Sequence, residues 1–323
     1  MTSQIHVDPT EVLACRAASD AVYDVLDSPA LPPITGYDPL EIFTGFDRAF
    51  GSDHVERYGV LYRSQADSDH YLIAFRGTDG VLDWYEDSFF EQVEFTPVSG
   101  DASQTVHICD GFHSIYTTSR GSELSMRDQV FEMVHDHRIR SLTITGHSLG
   151  AALANIFAYD LACSDSRVAI RNVTFASPRV GVRSWHDKYM ANAGLAGATV
   201  RVYNHHDIVP TVPAFPGMDF THVGQPFQVN FKRKHHFLPH YGSRHSIANY
   251  GVVLEHALAS PEQVWVGFFE DQTDTDKEMR SEAPVFGSHA EWSLIQHAIA
   301  VDPELAHVVT EMARKSLASR TCH

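Results

Sequence analysis

The stretch that decides the fold runs from Ser141 to Ala154 and reads SLTITGHSLGAALA. It begins as an apolar strand, passes through the turn Gly146-His147-Ser148-Leu149-Gly150, and continues as an alanine-rich helix. A serine in such a strand-to-helix turn has its hydroxyl exposed on a strained backbone, and the two glycines let the turn close. A Gly/Ser turn that matches this pattern by chance is rarely preceded by an apolar strand and also followed by a helix of small residues. The stretch therefore predicts Ser148 as a nucleophile at a helix N-terminus, where developing negative charge is stabilised.

Strand and helix patterns alternate on both sides of this turn. Upstream, residues 10–27 have helical spacing, and the β-rich runs Tyr58–Tyr62 and Tyr71–Phe75 are separated by a polar segment that indicates a hairpin. Downstream, strand patterns at residues 172–176 and 199–203 enclose a helical one near residues 185–193. This alternation predicts an α/β fold with a mostly parallel central sheet flanked by helices.

Composition and charge exclude several classes of protein. The net charge of −17 repels phosphate backbones, so nucleic acid is not an expected partner. The sequence contains no run of eighteen or more apolar residues, so it predicts no transmembrane helix. The first twenty residues have no basic segment followed by an apolar one, which predicts a cytoplasmic protein if the sequence is complete, or a secreted one if a signal was trimmed. The four cysteines are scattered, without metal-type spacing, and indicate ordinary thiols. The sequence does not decide whether two of them form a disulfide.

Five ordered blocks carry a resemblance to a known family. They read IAFRGTDGVLDW, HICDGFHSIY, ITGHSLGAALA, TFASPRVG and VYNHHDIVPTVP. In order and spacing they resemble the blocks of the class 3 lipases, the fungal-lipase-like family, over roughly Tyr58 to Tyr250. The resemblance implies an α/β-hydrolase fold and a serine carboxylic ester hydrolase that needs no cofactor and no metal.

A serine nucleophile needs a base and an acid that orients the base, in the chain order Ser, Asp, His for these hydrolases. Asp207 follows a strand and lies in the block that the resemblance assigns to the acid, although an aspartate before Pro210 could also serve only as a turn cap. Six histidines lie between Asp207 and residue 260. His245 is followed by a segment with Tyr250 that resembles the family's catalytic-histidine segment, and His240 and His236 are the alternatives.

The resemblance also implies the groups that stabilise a tetrahedral oxyanion. Leu149 supplies one backbone N–H, and Thr78 supplies the second, together with its hydroxyl. Asp87 matches a family aspartate that holds the oxyanion residue, or it is a solvated acid in an acidic loop. The residues at the family's lid position are either an amphipathic lid or a fixed aromatic roof over the pocket; they are Val81, Leu82, Trp84, Tyr85 and Asp87.

The sequence leads to a ranked set of functions. A triacylglycerol lipase is expected first, with phospholipase, feruloyl esterase or short-chain esterase as alternatives and a non-catalytic binding module as a remote one. The substrate is a lipid or small ester, with neutral interfaces preferred over anionic ones, and the oligomeric state is undetermined. A zinc site at His235, His236, His240 and His245 is not expected, because no cysteine or helical His-Glu pair accompanies them.

Two regions are predicted along the chain. Residues 1–260 form the hydrolase domain, and residues 261–323 form an acidic linker and a helical extension that packs on it. The linker is expected at Glu270–Ala283, which is polar and charged, and the helix starts at Asp302-Pro303 with an apolar stripe.

Overall fold

The fold is built from twelve strands and seven α-helices among the described residues. The computed structural model describes residues 5–46, 55–78, 91–213, 219–234 and 241–285. In chain order its strands are β1 (Tyr37–Phe46), β2 (Val55–Ser64), β3 (His70–Phe75), β4 (Gln92–Phe95), β5 (Val106–Cys109), β6 (Ser141–His147), β7 (Ala169–Phe175), β8 (Thr199–Asn204), β9 (Gln225–Val229), β10 (Phe231–Arg233), β11 (Gly267–Asp271) and β12 (Asp274–Ser281). The helices are α1 (Pro9–Ala21), α2 (Asp110–Thr117), α3 (Met126–Asp136), α4 (Leu149–Ser164), α5 (Arg183–Ala191), α6 (Tyr241–His245) and α7 (Ile247–Leu258), with 3₁₀ turns at Val22–Val25, Ala102–Gln104 and Val209–Thr211.

Seven strands form one sheet in the order β1-β2-β3-β6-β7-β8-β9. The pairs from β3 to β9 are parallel, whereas β1, β2 and β3 form antiparallel pairs at one edge. This confirms the predicted α/β class and the mostly parallel sheet. Because parallel strands end at the same edge, the residues after β3, β6 and β8 gather there.

Each face of the sheet covers its own apolar core. Along β3 the buried side chains alternate: Tyr71, Ile73 and Phe75 join one cluster, and Leu72 and Ala74 join the other. Alternate residues of a strand point to opposite faces, so helices must cover both faces. The first cluster includes residues of α2 to α5, and the second includes residues of α1 and α7. Packing on both faces fixes the position of the sheet, and with it the edge that carries the candidate site.

The N-terminal segment is fastened to the chain beyond α7. The N–H of Val7 donates to Oε1 of Gln263 at 2.9 Å, and Nε2 of Gln263 donates back to the Val7 carbonyl at 2.8 Å. Glu11 on α1 also forms two hydrogen bonds with the Arg171 guanidinium on β7, at 2.6 and 2.9 Å. These contacts join parts of the chain that are far apart in sequence.

The prediction of a linker at Glu270–Ala283 is wrong. Residues 267–281 form the hairpin β11–β12, which pairs with β10 in a second, three-stranded sheet. Most side chains of β12 are exposed and charged, so its sequence lacks the apolar alternation of a half-buried strand. The predicted helix from Asp302 lies outside the described residues, and the division into two regions stays a prediction.

No helix in the described part of the chain combines the length and the apolar character needed to cross a bilayer.

Candidate active site

Ser148 lies in a sharp turn between β6 and α4. Its φ is +59° and its ψ is −126°, a conformation that L-residues seldom adopt and that stores strain at functional sites. The glycines of the motif are required by packing: a Cβ on Gly150 would lie 2.1 Å from the Phe75 carbonyl oxygen, and one on Gly146 would lie 2.4 Å from the Gly150 oxygen. The N–H of Ser148 donates to the Phe175 carbonyl at 3.0 Å. The turn is therefore anchored between β3 and β7.

Two groups beside Ser148 are suited to bind an oxyanion. Leu149 is the first residue of the sixteen-residue helix α4, so its N–H has no partner within the helix. Thr78 follows β3 and is buried, and a Cβ on the preceding Gly77 would lie 3.2 Å from Cβ of Ser148. That contact places the backbone before Thr78 directly against the turn. Both predicted oxyanion residues therefore flank Ser148.

Asp207 and His245 meet although 38 residues separate them. Nδ1 of His245 donates to Oδ2 of Asp207 at 2.8 Å, and both side chains are buried. Oδ1 of Asp207 accepts from the N–H of Val209 at 3.0 Å, and Oδ2 also accepts from the hydroxyl of Tyr250 at 3.1 Å. Since three donors hold the carboxylate, it can orient the imidazole so that Nε2 faces away from it. The alternatives His236 and His240 lie outside the described residues.

Three buried polar atoms at this sheet edge have no hydrogen-bond partner among the described residues. They are Oγ of Ser148, Nε2 of His245 and Oγ1 of Thr78. Buried polar atoms in folded proteins almost always have partners, so unpaired ones need an explanation. The predicted roles of nucleophile, base and oxyanion donor would explain these three atoms, because each such group completes its bonding only during a reaction.

Sequence reasoning missed His147, which lies next to the nucleophile. Its Nε2 donates to the His245 carbonyl at 2.8 Å, its Nδ1 accepts from the Tyr23 hydroxyl at 2.8 Å, and its ring centre lies 4.5 Å from that of His245. Burial, together with the neighbouring His245, holds the pKa of His147 well below its usual value. His147 is therefore a neutral bridge between the 3₁₀ turn Val22–Val25, which follows α1, and the segment that carries His245. A histidine inside the motif was visible in the sequence, but nothing there showed its partners.

Tyr250 was noted only as a residue near His245, and the structure shows its contact with the acid. Its hydroxyl donates to Asp207 and accepts from the N–H of Asn204 at 2.5 Å. Burial and the Asp207 carboxylate raise the pKa of Tyr250 well above its usual value, so it remains a donor. Its position five residues after His245, in the segment that resembles the family's catalytic-histidine segment, was the available signal.

Tyr250→Phe is expected to lower kcat about tenfold, because a hydrogen bond to a charged group contributes about 1.5 kcal/mol or more. The remaining donors keep Asp207 in place, so the loss stays far smaller than removal of a triad member. The measurement is kcat on a soluble ester, with the melting temperature as a folding check. An unchanged kcat in a folded variant would remove Tyr250 from the site.

A second buried histidine supports the segment after Asp207. Nε2 of His222 donates to the Pro210 carbonyl at 2.7 Å, and burial, with Arg201 and Arg179 nearby, holds the pKa of His222 well below 6.5. An unfolded chain binds a proton on such a histidine below its ordinary pKa of 6.5, whereas the folded chain does not. Stability from His222 is therefore complete above pH 6.5 and declines as the pH falls below it.

We expect the free energy of unfolding to fall below pH 6.5 with a contribution of about 1.4 kcal/mol per pH unit from His222. His222→Gln keeps a donor for Pro210 but cannot titrate. Its free energy of unfolding should therefore change less steeply with pH, by the amount that one proton contributes. Denaturant unfolding of both proteins between pH 7.5 and 5 measures this difference. Parallel slopes would show that His222 accepts its proton without unfolding.

The predicted lid residues Val81, Leu82, Trp84, Tyr85 and Asp87 lie outside the described residues. Both interpretations of that segment, and the pairing of Asp87 with Thr78, stay predictions. In the described ranges no group of three or more His, Cys, Asp or Glu side chains is arranged to hold a metal ion. Three of the four histidines considered for zinc, His235, His236 and His240, also lie outside them.

The comparisons with known proteins agree on one family. Residues 72–216 match the family described as Lipase (class 3). Phospholipase A1-II 6 of Oryza sativa subsp. japonica is 34% identical over 168 residues, which are 45% of this chain and 40% of that protein. Phospholipase A1-IIgamma of Arabidopsis thaliana is 29% identical over 182 residues, 50% of this chain and 42% of that protein. The chain thus spans about half the length of these curated relatives or less.

Solved structures share the fold. A triacylglycerol lipase from Penicillium expansum superposes with a TM-score of 0.54 at 17% identity, covering 71% of this chain and 80% of that chain. A lipase from Yarrowia lipolytica gives 0.52 at 17% identity, covering 71% and 81%. The family match contains Thr78, Ser148, Leu149 and Asp207, whereas His245 lies beyond it and is placed by its contact with Asp207. Residues 72–216 of the chain are therefore similar to the class 3 lipases, and the chain has the α/β-hydrolase fold that the solved lipases share.

Proposed function

We propose that the protein is a serine carboxylic ester hydrolase that works through an acyl-enzyme on Ser148. The observation that carries this proposal is the Asp207–His245 contact of 2.8 Å, beside a Ser148 held at φ +59° with its hydroxyl unpaired. His245 accepts the Ser148 proton as the oxygen attacks the ester carbonyl, and Asp207 stabilises the imidazolium that results.

The other groups act on the charge that forms during the attack. In this proposal the N–H groups of Leu149 and Thr78 donate to the carbonyl oxygen as it becomes an oxyanion, and the hydroxyl of Thr78 is a third donor. His245 then donates its proton to the leaving alcohol, and water that it activates hydrolyses the acyl-enzyme. None of these steps uses a cofactor.

Within this class we propose a glycerophospholipid ester as the preferred substrate. The two curated relatives above are called phospholipases A1, and they are more similar in sequence than the triacylglycerol lipases, whose likeness supports the fold. This reverses the order in which the sequence alone ranked the two substrates. The net charge of −17 favours a zwitterionic surface over an anionic one.

The test compares phosphatidylcholine vesicles, a triacylglycerol emulsion and a soluble p-nitrophenyl ester, with Ser148→Ala as the control throughout. Turnover of the vesicles with a lysophospholipid product supports the phospholipase, and identification of that product shows which ester is cleaved. Faster release of fatty acid from the emulsion would make triacylglycerol the substrate. Turnover of the soluble ester alone would indicate an esterase, and no turnover that depends on Ser148 would contradict the proposed function.

A further inference from the structure

The catalytic-histidine segment is held by one buried carboxylate from the C-terminal hairpin, which is β11–β12 (Gly267–Ser281). Asp271 is at the end of β11 and is fully buried. Its Oδ2 accepts from the Ser243 hydroxyl and, at 3.2 Å, from the Arg233 guanidinium on β10. Its Oδ1 accepts from Nδ2 of Asn249 at 2.9 Å. The carboxylate therefore bridges three separate elements of the chain.

Two of these partners lie on either side of His245. Ser243 is on α6, two residues before it, and Asn249 is on α7, four residues after it. Asn249 ties the two helices together, because its Nδ2 also donates to the Ser243 carbonyl at 2.8 Å and its Oδ1 accepts from the N–H of Gln272 at 2.9 Å. The junction between α6 and α7, where His245 lies, is thus fixed by the Asp271 carboxylate and the Gln272 N–H of the hairpin.

The remaining restraints on this junction come from the catalytic domain itself. The Arg244 carbonyl accepts from Nδ2 of Asn204 at 3.0 Å, and the His245 carbonyl accepts from His147. These bonds hold the backbone of Arg244 and His245, whereas Asp271 holds the neighbouring Ser243 and Asn249. Removal of either set would leave the imidazole free to shift relative to Asp207.

We infer that Asp271 is a positioning residue for the reaction, which keeps His245 in line with Asp207 by clamping α6 and α7. This inference rests on the proposed function, since it assigns His245 as the base. A displacement of a catalytic group by about 1 Å costs up to 10²-fold in rate. The hairpin that the sequence presented as a linker therefore takes part in the organisation of the active site.

The ionisation state of Asp271 agrees with this role. Burial alone would raise its pKa, but hydrogen bonds from Ser243, Asn249 and Thr273 outweigh burial and lower the pKa of Asp271 to about 2. Both oxygens are thus acceptors throughout the working range of an esterase. Asn at this position would turn one acceptor into a donor that faces other donors, so one side of the bridge must open.

The experiment compares Asp271→Asn with Asp276→Asn, which makes the same chemical change at an exposed position of the same hairpin. For Asp271→Asn we expect kcat on a soluble ester to fall roughly tenfold to a hundredfold, with KM changed less than twofold. Asp276→Asn should match the wild type. A general loss of folding would affect the melting temperature and the active fraction, so kcat is normalised to the fraction of Ser148 that a phosphonate ester labels.

A second readout does not need turnover. The proton between Nδ1 of His245 and Asp207 should give a low-field resonance in the ¹H spectrum, assigned by its disappearance in His245→Gln. It should broaden or vanish in Asp271→Asn and persist in Asp276→Asn. If the wild type hydrolyses no ester, the proposed function fails, and this resonance alone still decides whether Asp271 positions His245.

The inference is overturned if folded Asp271→Asn keeps both the resonance and a kcat within threefold of the wild type. If Asp271→Asn does not fold, Ser243→Ala decides in its place, because it opens the α6 side of the bridge, together with the bonds from Arg233 to Ser243, and leaves the Asn249 contact. A weaker resonance and a lower kcat in Ser243→Ala support the clamp, and wild-type values contradict it.

Discussion

Ser148→Ala should lower kcat on any accepted ester by roughly 10⁴-fold or more, the largest effect expected for a single change. No other side chain can form the acyl-enzyme, so the remaining rate would come only from the oxyanion donors and substrate binding. The fold should be unaffected, since alanine keeps the Cβ and loses a buried hydroxyl that has no partner among the described residues. We expect an equal or slightly higher melting temperature.

The measurement is kcat for the p-nitrophenyl ester at saturation, with Ser164→Ala as the matched control. Ser164 is the last residue of α4, the helix that begins after Ser148, so the same substitution is made at the opposite end of one element. The control should stay within twofold of the wild type. A Ser148→Ala protein that retains a tenth of the activity would exclude the acyl-enzyme at this residue.

Asp207→Asn is expected to lower kcat by roughly 10³- to 10⁴-fold, although the amide has nearly the same shape as the carboxylate that it replaces. The amide must place its NH₂ either toward the N–H of Val209 or toward Nδ1 of His245. In the first arrangement two donors, the NH₂ group and the N–H of Val209, face each other without an acceptor. The second forces Nδ1 to accept, which leaves the proton on Nε2, so His245 can no longer take the proton of Ser148.

Single-turnover kinetics test this expectation, because they isolate acylation from later steps. Asp187→Asn is the control: its carboxylate pairs with Arg183 on the surface of α5, where such an ion pair contributes little to stability. If the two variants react at the same rate, Asp207 is only a turn cap, the role that its position before Pro210 also allowed.

The central part of the fold could be predicted because its signals are local. Ser148 was identified by a strand, a tight turn and a helix that adjoin each other in the sequence, and the Asp207 block could be recognised in the same way. Buried parallel strands are rich in apolar and β-branched residues, so β6 and β7 were visible as short runs. These predictions needed no knowledge of distant contacts.

The other parts of the site depend on contacts that no local pattern records. His245 could not be separated by composition from the other histidines after Asp207, and it is singled out by the geometry of one hydrogen bond. The partners of His147 are Tyr23 and His245, which lie 124 and 98 residues away. The hairpin was missed because β12 is a mostly exposed strand with many charged residues, so its sequence lacks the apolar alternation of a half-buried strand and resembles a loop.

The tie between Val7 and Gln263, which are 256 residues apart, has a consequence for synthesis on the ribosome. A nascent chain that has reached α4 already contains the Ser148 turn, but α1 still lacks the helix α7 against which it packs. The base arrives about a hundred residues later, and the carboxylate that clamps it arrives later still. A partly made chain therefore carries Ser148 without His245 and Asp271, so the proposed active site forms only when nearly all of the described length has emerged.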